Sequence, residues 1–216
     1  MTKEQVKQRI LEVKIVPVVR ASSPEQALGA ADAVRAGGIP IVEVTMTVPG
    51  AIEVIAGLSR LMGSDVLIGA GTVLDAATAQ KCLDAGAQFL VSPGFDAETV
   101  ALARRLDVLI MPGALTPTEV ITAWKAGADF VKIFPCGNVG GPAYIKSLKA
   151  ALPQIPMIPT GGVNLETAAA FLRAGASALG IGGELISKAA LDSGNFAAIT
   201  ESARQYTAIV NQGFNV

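Results

Sequence analysis

Residues 120–134 read VITAWKAGADFVKIF and contain a complete joint between two elements. A helical pattern runs to Lys125, Ala126-Gly127-Ala128 stops it, and an apolar run continues to Phe134. Glycine ends a helix well because it takes the left-handed cap conformation at little cost. The same joint recurs as AGG at 36–38, AGA at 85–87 and AGA at 174–176, each leading from a helical segment into a strand-like run. Working outward from these joints, the pattern predicts strands over 15–20, 39–46, 66–70, 88–92, 107–111, 128–134, 155–160 and 177–182. Helices are predicted over 23–36, 49–62, 75–85, 96–106, 116–126, 141–151 and 164–174, near 183–189 and near 195–212. Ser23, Asp75 and Asn164 read as N-caps. Eight strand–helix units in 216 residues are compact, yet within the lower size of about 200 residues for a (β/α)8 barrel. The reading is a single-domain α/β protein, a (β/α)8 TIM barrel over 1–216. A doubly wound open sheet is the alternative. The count of eight and the repeated joint favour a ring of equal units. No linker, low-complexity tract or second domain interrupts the pattern.

Composition narrows the function. Hydrophobic residues make up 51% and charged residues 16%, which suits strands buried on both faces. Lys and Arg number 17 against 18 Asp and Glu, there is no basic stripe, and only 5% of residues are aromatic, so no nucleic-acid partner is expected. Two cysteines, Cys82 and Cys136, are too few for a disulfide framework and read as reduced thiols. The first 13 residues carry charges every few positions and no apolar core of a signal peptide, and no apolar run reaches membrane length. A cytoplasmic protein with no membrane partner is expected. There is no histidine at all. Ser-His-Asp and Cys-His arrangements within the chain, and histidine-ligated zinc, are therefore excluded, and no metal is expected. Acid–base work falls to Glu, Asp, Lys or Tyr.

The strand over 128–134 carries the chemistry. Side chains alternate along a strand, so Phe130, Lys132 and Phe134 share one face while Val131 and Ile133 face the helices. An amine is thereby set among rings. Desolvation disfavours the ammonium form, and a neutral amine attacks carbonyls to form an imine, an electron sink for C–C cleavage. The other reading of Lys132 is a side chain that snorkels from a strand end or sits in an ion pair. On 39–46, Glu43, Thr45 and Thr47 alternate with Val42, Val44 and Met46, which sends a carboxylate and hydroxyls inward. Glu43 is either half of a structural ion pair or a proton shuttle, and its pairing with Lys132 favours the shuttle.

Five strand ends are rich in glycine or threonine: GAGT (69–72), SPG (92–94), MPG (111–113), PTGG (159–162) and GIGG (180–183). In this fold the site lies at the C-terminal strand ends, and the loops after strands 7 and 8 commonly bind phosphate. Arg20 is the one cation besides Lys132 at a predicted strand end. It either grips an anionic substrate group or pairs with Glu43. Cys136 reads as a bystander, with nothing near in sequence to activate a thiol. Trp124 and Tyr206 read as helix residues of the core or an interface.

In order along the chain, VPVVRA (16–21), EVTMT (43–47), GAGTV (69–73), SPG (92–94), MPG (111–113), VKIFP (131–135), PTGGV (159–163) and GIGG (180–183) resemble the family of 2-keto-3-deoxy-6-phosphogluconate (KDPG) aldolases. That family includes enzymes that also act on 4-hydroxy-2-oxoglutarate (KHG). The resemblance spans nearly the whole chain. It implies that Lys132 forms the imine and Glu43 shuttles protons, with Thr72 and Pro93 lining the pyruvyl end and Phe134 packing near the lysine. It implies phosphate binding at Gly161, Gly162, Gly182 and Gly183. Arg20, Thr47 and Thr160 complete the substrate-binding set. Several members carry an arginine where Thr47 stands, and a serine where Glu184 stands. The resemblance further implies a small-molecule 2-keto acid substrate, no cofactor, no metal and a homotrimer. Three alternatives stand beside it. One is the same chemistry on the phosphogalactonate epimer or an unphosphorylated acid. The others are a phosphate-binding barrel isomerase or epimerase and a non-catalytic assembly module.

Overall fold

The computed structural model of the chain describes residues 1–63 and 65–212. Among them nine short strands run parallel: β1 (Ile15–Val19), β2 (Ile41–Thr45), β3 (Leu67–Gly71), β4 (Phe89–Val91), β5 (Leu109–Met111), β6 (Gly113–Ala114), β7 (Val131–Ile133), β8 (Met157–Pro159) and β9 (Leu179–Ile181). The helices are α1 (Lys3–Val13), α2 (Pro24–Ala36), α3 (Ala51–Met62), α4 (Ala76–Asp84), α5 (Ala97–Arg105), α6 (Pro117–Ala126), α7 (Pro142–Ala151), α8 (Ala168–Arg173), α9 (Lys188–Ser193) and α10 (Phe196–Val210). The single domain expected over 1–216 extends to residues 213–216, which lie outside the described ones.

The strands form a six-stranded sheet in the order β5-β4-β3-β2-β1-β9 and a three-stranded sheet in the order β6-β7-β8. A parallel bridge between Thr160 and Gly180 joins the second sheet to β9. The architecture is thus α/β with a curved parallel half-barrel, and the eight uninterrupted strands read from the sequence need correction. The predicted strand 107–111 starts late because Asp107 takes a left-handed conformation (φ 54°), and an unpredicted ninth strand, β6, follows it beyond Pro112, which has no N–H to donate. Hydrogen bonds from Asp129 N to Ile110 O (3.1 Å) and from Lys132 N to Pro112 O (3.0 Å) span the break.

The repeated joints fold alike. Gly38, Gly86, Gly127 and Gly175 all have φ between 92° and 102°, so each of the four motifs turns at a glycine in the left-handed region. Ser23 and Asp75 cap α2 and α4, accepting from Gln26 N (3.3 Å) and Thr78 N (2.7 Å). Asn164 accepts from Glu166 N and Thr167 N, but it closes a turn and α8 begins only at Ala168. The helix predicted near 183–189 is likewise displaced. Leu185 N and Ile186 N both donate to Gly182 O in a turn, and the Ser187 hydroxyl, accepting from Ala190 N, starts α9 at Lys188.

The core has two parts. The larger lies between strands and helices and includes Val42, Val44, Val131 and Ile133, the outward residues of β2 and β7. The smaller fills the inner face with Val16, Ile41, Leu67, Phe89, Leu109, Phe130, Ile158 and others. Val6 and Ile10 of α1 complete it, so α1 seals the N-terminal strand ends. The sequence pattern did not predict α1. It starts at a Thr2–Gln5 capping box. Lys3 Nζ pairs with Asp129 Oδ1 at 2.9 Å, while Asp129 Oδ2 accepts from Ile110 N at 3.0 Å. Asp129→Ala is expected to cost about 2 kcal/mol, because the Ile110 N–H loses its partner in a buried position. Asp129→Asn, which keeps an acceptor, should cost less. Urea denaturation of the two variants checks this, and equal stabilities would contradict it.

Candidate active site

Above the apolar floor the inner face turns polar. Glu43 and Thr45 rise from β2, Lys132 from β7 and Thr160 from just past β8, and all four are buried. Lys132 is 4% exposed and its Nζ lies 5.3 Å from the centroid of the Phe134 ring. Phe130 is fully buried in the floor below it. The predicted alternation of β7 therefore holds at all five positions from Phe130 to Phe134.

Glu43 is 2% exposed, and its Oε1 has no hydrogen-bond partner. Burial pushes its carboxyl above the ordinary value of 4.5, against the opposing pull of Lys132 and then Arg20, whose positive charges favour the carboxylate. Among the described residues no ion pair within 4 Å joins Glu43 to Lys132 or Arg20. Glu43 and Lys132 are thus near enough to feel each other's charge but are not locked together.

A cavity of about 180 Å3 opens at the strand ends next to Phe134 and Thr160, and neither Lys132 nor Glu43 lines it. Seven predicted residues line it: Arg20, Phe134, Thr160, Gly161, Gly162, Gly182 and Gly183. Glu184 lines it as well, together with Val18 and Gly180, two inner-face positions that the sequence reading passed over because neither carries a reactive group. Gly161 and Gly162 both have positive φ (86° and 77°). The Gly162 Cα faces the Gly137 backbone so closely that a Cβ there would meet Gly137 Cα at 2.7 Å. The loops after β7 and β8 are held together by Cys136 N to Thr160 O and Gly137 N to Gly161 O, both 2.9 Å. A Cβ on Gly183 would meet nothing within 4 Å, so bare backbone there faces open space.

Other predicted residues lie elsewhere around the mouth. Pro93 lines a separate cavity of about 360 Å3, with Phe134 as the wall between the two. Thr47 and Thr72 line neither. Thr47 is exposed on the turn after β2, with its hydroxyl 2.6 Å from that of Thr45, which also bonds Val19 O (3.0 Å). Thr72 caps β3 with φ 57°, a left-handed conformation that a β-branched residue rarely takes. Such a residue stores strain of order 1–3 kcal/mol. Thr72→Gly is expected to raise stability by about 1 kcal/mol while weakening substrate binding. Paired melting curves and Michaelis constants test this, and a lower melting temperature would contradict it. Cys136 is buried with its thiol pushed up to about 11 by desolvation, in keeping with an inert side chain. Tyr206 is buried in the outer core and Trp124 packs partly against it.

The arrangement is therefore a buried amine, a buried carboxyl whose Oε1 has no hydrogen-bond partner and a glycine-lined cavity at the C-terminal ends of parallel strands. Among the described residues no cluster of His, Cys, Asp or Glu is placed to hold a metal ion, and no helix is long and apolar enough to cross a membrane. Comparison with known proteins gives this site its relatives. Residues 6–202 match the family model described as KDPG and KHG aldolase. The chain belongs to the KDPG and KHG aldolase family. A 2-dehydro-3-deoxy-phosphogluconate aldolase of Treponema pallidum is 37% identical over 199 residues, which cover 92% of this chain and 94% of that one. Two solved structures of the family superpose closely. The KDPG aldolase of Legionella pneumophila, with pyruvate captured as a covalent carbinolamine, aligns with TM-score 0.85 and 30% identity over 93% of this chain and 97% of its own. The KDPG aldolase of Zymomonas mobilis ZM4 with 3-phosphoglycerate aligns with TM-score 0.86 and 28% identity over 96% and 97%.

Proposed function

We propose that this member of the family is a class I aldolase that cleaves KDPG to pyruvate and glyceraldehyde 3-phosphate. On the same reading it cleaves KHG to pyruvate and glyoxylate. The observation that carries it is the meeting of Lys132 and Glu43 on one buried inner face without an ion pair between them. Neutral Lys132 Nζ attacks the C2 carbonyl, and the carbinolamine takes a proton from solvent on its hydroxyl and loses water to give an iminium. Glu43 as carboxylate takes the proton of the C4 hydroxyl. The C3–C4 electron pair moves into the iminium, leaving an enamine of pyruvate and a free aldehyde. Glu43, now protonated, returns the proton to C3, and water hydrolyses the iminium to release pyruvate, the neutral amine and a proton to solvent.

The remaining roles rest on the family resemblance, and the cavity lining supports the phosphate cradle among them. Gly161, Gly162, Gly182 and Gly183 present backbone N–H groups to the phosphate, with Arg20 as the cation of the same cavity and Thr160 between cradle and amine. Thr72 and Pro93 flank the pyruvyl end, and Thr47 borders the mouth. We read the chain as one domain, a closed (β/α)8 barrel with Pro112 interrupting its fifth strand, working without cofactor or metal as a cytoplasmic homotrimer. Reduction of the protein–pyruvate mixture with borohydride tests the chemistry. A stable mass increment on the peptide carrying Lys132 is expected, and an adduct on any other lysine would overturn the assignment.

A further inference from the structure

We infer that Gly71 is a positioning residue for the reaction: its missing side chain leaves the slot in which the Glu43 carboxylate lies. A Cβ on Gly71 would sit 1.8 Å from Glu43 Oε1, 2.5 Å from Cδ and 2.7 Å from Cγ. The outer end of the glutamate therefore occupies the volume that any other residue at 71 would fill. The register shows why the carboxylate goes there. Glu43 pairs across the sheet with Gly69, and Gly69 pairs in turn with Phe89. The Phe89 ring lies over Gly69, where a Cβ would come within 2.2 Å of it. The space toward the floor is thus filled, and Glu43 leans along the strand toward the mouth, over Gly71, whose own partner is Thr45. Two glycines of β3 divide the work. Gly69 admits the ring that closes the level below, and Gly71 keeps the level above free for the acid.

Gly71 sits in regular strand outside the left-handed region, so alanine suits its backbone. The atoms a methyl group would displace are the flexible end of one side chain. Stability should change little while the carboxylate moves, and general acid–base catalysis depends steeply on that position.

The inference rests on Glu43 being the proton shuttle. The test is Gly71→Ala, alone and combined with Glu43→Ala, which removes all three glutamate atoms that the methyl group would meet. Gly71→Ala is expected to lower kcat by at least about 30-fold, and to slow exchange of the pyruvate methyl protons by the same factor. Borohydride trapping of pyruvate on Lys132 should persist. In the Glu43→Ala background the same substitution should cost the residual rate no more than about threefold. A kcat within about threefold of the parent, an equal loss in both backgrounds, or loss of trapping together with turnover would overturn the inference. Should Gly71→Ala fail to fold, folding of the double variant supports the steric link, and failure of both sinks it. Full activity in Glu43→Gln would instead remove the shuttle itself, a separate outcome.

Discussion

Lys132→Met is expected to abolish aldol cleavage, with a loss of at least about 10^5-fold in kcat and no pyruvate adduct after borohydride. Methionine nearly matches the length of lysine and is at home beside Phe130 and Phe134, so the substitution removes the nucleophile and keeps the packing. Replacing a polar amine by a thioether at a site 4% exposed leaves no polar group to bury there, and the variant should melt no lower than its parent. That combination separates a chemical role from a structural one. If Lys132 were half of an ion pair holding the fold, the variant would instead lose stability while some turnover survived. Single-turnover mixing with KDPG, followed by mass spectrometry and calorimetry, measures both quantities.

Glu43→Gln should lower kcat by about 10^2–10^4-fold while leaving imine formation with pyruvate largely intact. The pH dependence follows from burial. The folded-state value of this carboxyl is raised above 4.5, so the native state holds its proton more tightly than the unfolded chain does. Below pH 4.5 both states are protonated and burial costs nothing through this group. As pH rises from 4.5 through the raised value, stability falls, and above it the loss is constant. Glutamine cannot ionise, so Glu43→Gln is expected to melt higher than the parent at pH 8 and to lose that advantage near pH 4. In the parent, the acid limb of kcat against pH should lie above 4.5, and in the variant this limb should vanish. A variant less stable than the parent at pH 8 would show that the carboxylate is held by bonds stronger than its desolvation.

Much of this was legible in the sequence, because the decisive features are local. A glycine closing a helix before a strand announces itself, and Gly86, Gly127 and Gly175 all turn as their motif requires. Alternation along a strand is equally local, so Phe130, Lys132 and Phe134 could be assigned to one face without coordinates. What escaped depends on partners distant in sequence. The seal formed by α1 rests on Val6 and Ile10 alone among fully buried residues, too few to stand out among its charges. The break at Pro112 follows from a proline whose effect on the ladder shows only when its neighbours are known. The Gly71 slot is invisible until register sets β3 beside β2, since GAGT reads equally well as a turn.

The apolar floor has a further bearing on turnover. With Phe89, Phe130 and α1 closing one end, the cavities described above open at the other. On the proposed mechanism pyruvate stays tethered to Lys132 after bond cleavage, so the aldehyde, nearer the mouth, vacates first. The aldehyde's departure clears the way for the water that releases the tether. On that mechanism traffic through this molecule is sequential, last in and first out.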